Sequence, residues 1–248
     1  MAEKNRRRMS GWTITAIVLG AIGLSGLGYM AWVLFIGDAI AASTQADEAR
    51  QFSGTLASSR PEEPVERGVE GMPVTLPASG AGEPLGVMFV PRFGENSQRV
   101  IAEGVSQSDV LDSETLGVGH YSSTQLPGQE GNFVISGHRS AYGGSMHEIE
   151  QLRLGDPIVI QTAQGWYTYR FRNYIYVDPA QVEVLNPLPS VEGRLGDVSY
   201  VTLITCNPLY STDERIVAIG SLESWQPLED GPPKEVVPTF PAVFADKQ

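Results

Sequence analysis

The chain opens on one long apolar block and then changes character twice. From Met9 to Gly37 no residue carries a charge, and about 20 apolar residues suffice for a helix to cross a hydrocarbon core. Trp12 and Trp32 stand toward the two ends of the block, where amphipathic rings favour a membrane interface. A transmembrane anchor is therefore expected over 9–37. Residues 38–83 read differently. Ser43-Thr44-Gln45, the Ser58-to-Pro64 run and Pro77-to-Pro84 are small, polar and proline-rich, with few large apolar side chains. Such a stretch buries too little surface to offset its conformational entropy. It predicts a flexible linker, its first residues continuing the membrane helix before fraying.

Between 84 and 228 the pattern becomes that of short strands. Leu85–Val90, Asn132–Ser136, Asp156–Gln161, Trp166–Val177, Val198–Thr205 and Arg215–Gly220 are β-branched or aromatic runs ended by Gly or Pro or set off by turn residues. The third and fourth flank Ala163-Gln164-Gly165, a hairpin turn. Two short helices are expected, over 108–116 and 146–152. Strands at this density with short connections suit a mostly β sandwich or closed barrel. Pro232, Pro233, Pro238 and Pro241 make residues 229–248 read as an irregular tail, with no second membrane anchor.

Composition sharpens the picture. The 248 residues carry a formal net charge of -12, which argues against a nucleic-acid partner, because phosphate backbones are gripped by clustered Lys and Arg. The exception is residues 1–8, where Lys4, Arg6, Arg7 and Arg8 face only Glu3. By the positive-inside rule this end stays cytoplasmic and everything past Asp38 lies outside. The small-x-small triplet Ala39-Ile40-Ala41 raises the alternative of a cleaved signal peptide, but the apolar block is far longer than a usual h-region.

One cysteine and three histidines exclude an intrachain disulfide framework, a Cys-rich zinc module and an iron–sulfur cluster. Cys206 ends a β-branched run and is followed by Asn207-Pro208, so it should sit at a strand's rim. Arg215 opens the next run, and a returning loop would make the two neighbours. A free thiol is only about 3% ionised at neutral pH without help, and Arg offers a fixed charge with a fork of donors for a developing oxyanion. An unpaired thiol outside the membrane is an oxidation hazard unless it works. The acid or base must be a histidine. His138 lies at a strand end, His120 in the turn Gly117–Tyr121 and His147 on the solvated face of the second short helix; spacing alone does not choose between His138 and His120.

These segments resemble the sortase family. Thr202-Leu203-Ile204-Thr205-Cys206 with Arg215 is similar to the sortase cysteine signature. Leu126–Arg139, continued by Ser140-Ala141-Tyr142-Gly143, is similar to its histidine segment. The resemblance implies an eight-stranded sortase barrel and a cysteine transpeptidase without cofactor or metal. Such an enzyme cleaves a C-terminal Leu-Pro/Ala-x-Thr-Gly sorting signal of secreted proteins and passes the acyl group to a peptidoglycan amine. Cys206 would be nucleophile, His138 acid/base and Arg215 oxyanion stabiliser, with His120, Tyr121, Tyr142 and Thr205 on the substrate side. The Gly-His-Tyr, Gly-His-Arg and Cys-Asn-Pro patterns are most like class E, then class D. The Asp-Pro lid of pilin-joining class C members is missing from the linker, although a pilin-type role stands as an alternative. Met146-His147 departs from the Pro-Phe common in relatives.

Two readings of other classes remain open. His120, His138 and Cys206 would make a His₂Cys zinc hydrolase site. A non-catalytic surface binding module would leave the thiol without a task. Asp109, Asp112 and Glu114 read as a solvated face or a calcium site.

Overall fold

The computed structural model describes residues 10–58, 66–189 and 196–244; the basic residues of 1–8 lie outside them. Eight strands close into a barrel: β1 (Pro84–Phe89), β2 (Arg99–Glu103), β3 (Val118–His120), β4 (Gly131–Gly137), β5 (Pro157–Thr162), β6 (Gly165–Val177), β7 (Ser199–Asn207) and β8 (Glu214–Gln226). Around the barrel they run β1-β2-β3-β4-β7-β8-β6-β5. The pairings β2–β3 and β4–β7 are parallel and the others antiparallel.

The two-residue period of the strands sorts side chains into two sets. Ile101, Phe133, Ile135, Ile158, Ile160, Tyr167, Tyr169, Val201, Leu203, Ile216 and Ala218 fill the barrel interior. Their alternates face outward. Val134, Ile204, Val217 and Ile219 form one outer apolar patch, covered by a short 3₁₀ turn carrying Val184 and Leu185. Val87, Phe89, Val100, Val159 and Trp166 form another. The aromatic run of β6 is thus half core and half outer face, as its alternation predicts.

The second outer patch shows where the chain departs from expectation. Helix α1 (Gly11–Ala31) is apolar, exposed all round and long enough to cross a membrane. It continues through a π-helical stretch, Trp32–Gly37, directly into α2 (Asp38–Ser58). Residues 38–58 are therefore helix, not linker. Gln45, Ala46, Ala49, Ser53 and Leu56 are buried against the barrel. Gln98 Nε2 donates to the Ala46 carbonyl at 3.0 Å and Gln161 Nε2 to that of Ser53 at 3.1 Å. Farther on, Thr75 is buried and the Tyr167 hydroxyl donates to the Pro73 carbonyl at 2.8 Å; burial pushes that phenol up to about 12.

The C-terminal segment is docked as well. Val236, Phe240 and Phe244 are buried, the last on α3 (Pro241–Phe244), and the Phe240 ring meets Phe89 edge-on at 5.2 Å. Prolines stop a long helix there but do not prevent burial of the large side chains between them. The helices expected over 108–116 and 146–152 shrink to a π turn, Gln107–Leu111, and a 3₁₀ turn, Ile149–Gln151. Gly117–Tyr121 is not a turn: Val118-Gly119-His120 is β3 itself. The hairpin turn between β5 and β6 is where it was expected, closed by Thr162 opposite Gly165.

Candidate active site

Two strand pairings bring the chemistry together. In the antiparallel β7–β8 ladder Cys206 lies directly opposite Arg215, and opposite residues share a face. That face is the outer one, continuous with Ile204 and Val217. In the parallel β4–β7 ladder Ser136 is level with Ile204, so His138, just past β4, reaches the level of Cys206. Parallel neighbours end at the same rim, and this one carries all three residues. Asn207-Pro208 turns the chain away, and Cys206 stays partly exposed.

His138, Cys206 and Arg215 line a groove of about 320 Å³ with Tyr121, Thr205 and Thr212. Larger hollows of about 480 and 560 Å³ contain neither the thiol nor its partners; chemistry rather than size locates the site. Arg215 is held at one arm, its Nη1 donating to the carbonyls of Thr212 at 3.0 Å and Glu214 at 2.9 Å. His138 Nε2 lies 2.7 Å from Asp112 Oδ1, with both side chains about a fifth exposed (23% and 22%). The Tyr142 ring sits 5.1 Å from the His138 ring. Asp112 is thus no solvated face. Asp109 is engaged differently, its carboxylate accepting from Ser106 and Ser108, which holds it below the usual carboxylate range.

Behind the groove Arg139 is buried and bridges Asn207 and Glu150. It ties the residue after His138 to the residue after Cys206. Thr205 points inward, its hydroxyl donating to the Gly137 carbonyl at 2.7 Å, which fixes the gap between the β4 and β7 ends. Sequence reasoning missed Asp112 as a histidine partner and Arg139 as a brace. In the sequence Asp112 is one acid among several, and nothing in its spacing points at a residue 26 positions away.

The structure corrects one substrate-side expectation. His120 is buried, its ring 5.0 Å from that of Phe133 in the barrel interior. Its Nδ1 meets Glu103 Oε2 at 2.9 Å and its Nε2 lies 3.2 Å from the Gln125 carbonyl and the Thr124 hydroxyl. It faces away from the Cys206 groove because β3 points alternate side chains inward. A His₂Cys zinc site joining it to Cys206 is therefore not assembled. Tyr121, its neighbour, faces the groove; Tyr142 stays beside His138. Met146 is core, and His147 is exposed with Nδ1 3.0 Å from the Arg139 carbonyl.

Comparison with known proteins agrees with this fold. The family profile described as Sortase domain matches residues 88–223. Sortase SrtE1 of Streptomyces coelicolor is 36% identical over 143 residues, covering 55% of this chain and 40% of that protein's own length. The solved SrtA sortase from Actinomyces oris superposes with a TM-score of 0.63 at 34% identity, over 69% of this chain and 97% of that one. Sortase E1 from Streptomyces coelicolor, crystallised with a tripeptide in the active site, gives 0.57 at 30% identity over 63% and 98%. This chain belongs to the sortase family, and its likeness runs to the class E members.

Proposed function

We propose that the chain is a membrane-anchored cysteine transpeptidase. It would cleave a Leu-Pro/Ala-x-Thr-Gly sorting signal and pass the protein to an amine of the cell wall. The observation that carries this reading is the convergence of Cys206, Arg215 and His138 on one rim, open to one groove. Cys206 Sγ attacks the Thr–Gly carbonyl carbon. The oxyanion forms beside Arg215, whose Nη2 and Nε make no hydrogen bond among the described residues once Nη1 has bound the two loop carbonyls. Collapse of the tetrahedral intermediate breaks the C–N bond. The imidazolium of His138 gives a proton to the departing glycine amine, leaving a thioester and a neutral imidazole. An incoming amine then attacks the thioester, the imidazole takes its proton, and the thiolate leaves. Two easier steps replace one difficult amide exchange.

Asp112 occupies Nε2 of His138 at 2.7 Å, which leaves Nδ1 as the nitrogen for substrate. Next to the groove a hollow of about 120 Å³ shares Tyr121, Ile204 and Arg215 with it and adds Val177, Pro179 and Val184. An apolar recess beside the nucleophile suits the leucine of the signal. The exposed helix α1, with the charge bias of residues 1–8, supports a single pass with the barrel outside the cell. The test is turnover of a Leu-Ala-x-Thr-Gly or Leu-Pro-x-Thr-Gly peptide with an added amine. Release of the Gly fragment and appearance of the amine conjugate are expected, and neither should occur with Cys206→Ala. Conjugate formation by that variant would overturn the reading.

A further inference from the structure

We propose that Gln45 is a positioning residue for the acid–base histidine, which makes the helix running on from the apolar segment part of the catalytic unit. The inference rests on the role given above to His138. Gln45 is fully buried on α2. Its Nε2 donates to the Ser113 carbonyl at 2.8 Å and to the Tyr142 carbonyl at 2.9 Å. Ser113 directly follows Asp112, whose carboxylate meets His138 Nε2, and Tyr142 is the residue whose ring lies beside the His138 ring. One amide group therefore fastens the two loops that flank the imidazole, one carrying its charge partner and the other its ring neighbour.

The surroundings are shaped for this amide. A Cβ on Gly117 would lie 2.6 Å from Gln45 Nε2, and one on Gly143 would lie 2.6 Å from Gln45 Oε1. Both positions have positive φ, 82° and 83°, so glycine serves backbone and space together. The Tyr142 loop does not hold its shape unaided. Ala141, Tyr142, Gly143 and Gly144 all have positive φ, and a non-glycine residue there is held only by its surroundings. α2 supplies more of that hold through Asp38, whose Oδ1 accepts from the Gly143 amide at 2.6 Å. From the other side the buried Arg99 donates to the Gly143 carbonyl at 3.1 Å.

The far half of α2 has its own attachments, including Gln161 to Ser53 and the burial of Leu56. Losing the Gln45 donors should therefore leave the helix docked while the two loops relax. The test uses the full chain in detergent micelles and a fluorogenic sorting peptide. Gln45→Met keeps length and volume but removes both donors. It should lower kcat by roughly 10- to 100-fold, the scale of a small misplacement of a catalytic group, with KM unchanged. Gln161→Met removes an α2 hydrogen bond near the opposite end of the helix and should keep wild-type kcat. In an Asp112→Asn background Gln45→Met should add little, because groups acting through one another are not additive. Should Gln45→Met fail to fold, Gln45→Asn, too short to span both carbonyls, replaces it with the same kcat-only loss expected. Wild-type kcat in the folded variant, an equal loss in Gln161→Met, or independent losses in the double variant would overturn the proposal. Failure of the underlying reading has a different signature: Cys206→Ala would then still cleave the peptide.

Discussion

Arg215 offers the sharpest separation between charge and geometry. Its Nη1 is committed to the Thr212 and Glu214 carbonyls at 3.0 and 2.9 Å. This pins one edge of the guanidinium; in the proposed mechanism the other edge serves the substrate. Arg215→Lys keeps the positive charge but replaces a planar, multi-donor group with a point charge on a flexible stem. An ammonium that satisfies the same two carbonyls has one N–H left, and one that turns to the oxyanion abandons the loop. The variant should therefore lose at least one oxyanion donor, worth about 2.7–4 kcal/mol or roughly 10²–10³ in rate. The position is partly exposed at the start of β8, so the fold should survive, as thermal melting would show. Peptide cleavage gives kcat/KM, and rapid quench with mass detection gives the acylation rate of Cys206. Both should fall together, since the interaction belongs to the transition state. Near-wild-type acylation in Arg215→Lys would refute the geometric role and leave only a charge effect.

Three further outcomes are expected. His138→Ala should nearly abolish cleavage while His147→Ala leaves it close to normal, because only the first ring lies in the groove; equal losses in steady-state rate would reject the assignment. Phe240→Ala should cost about 3–5 kcal/mol, the range for emptying a buried aromatic site, given its burial against Phe89; an unchanged urea midpoint would mean the tail does not dock in solution. Asp156 is held below the usual carboxylate range chiefly by its hydrogen bonds from Arg92. Its stabilising contribution is therefore full above the ordinary carboxylate value and is lost as pH falls through the lowered one. Melting measured from neutral to acid pH should lose part of its acid-side slope in Asp156→Asn, and an unaltered slope would contradict the pairing.

The sequence made the barrel's strong strands legible because their cores are β-branched or aromatic. Six runs coincide with β1 and β4–β8 to within a few residues, apart from the longer end of β8. β2 and β3 carry no such run. β2 begins on the charged but buried Arg99, and β3 is three residues long with a central glycine. α2 was hidden for another reason. Its buried positions Gln45, Ala49, Ser53 and Leu56 recur at helical spacing, but all except Leu56 are small or polar, so no hydrophobic stripe marks them. The helix is held by hydrogen bonds from Gln98 to Ala46 and from Gln161 to Ser53 and by packing of Ala49 and Leu56 on the barrel, partners that only the folded chain supplies. The same holds at the site. Cys206 and Arg215 could be paired from a strand, a proline and a returning loop, whereas Asp112, Arg139 and Gln45 meet their partners only after closure of the barrel.

The central claim is that Cys206 forms a thioester with a sorting signal. Mass spectrometry of the protein incubated with Leu-Pro-x-Thr-Gly and Leu-Ala-x-Thr-Gly peptides tests it most directly. An acyl adduct on Cys206 with loss of the Gly fragment, discharged by an added amine, is the predicted result. A protein that cleaves either peptide while Cys206 stays unmodified under rapid quench, or after its alkylation, would contradict it.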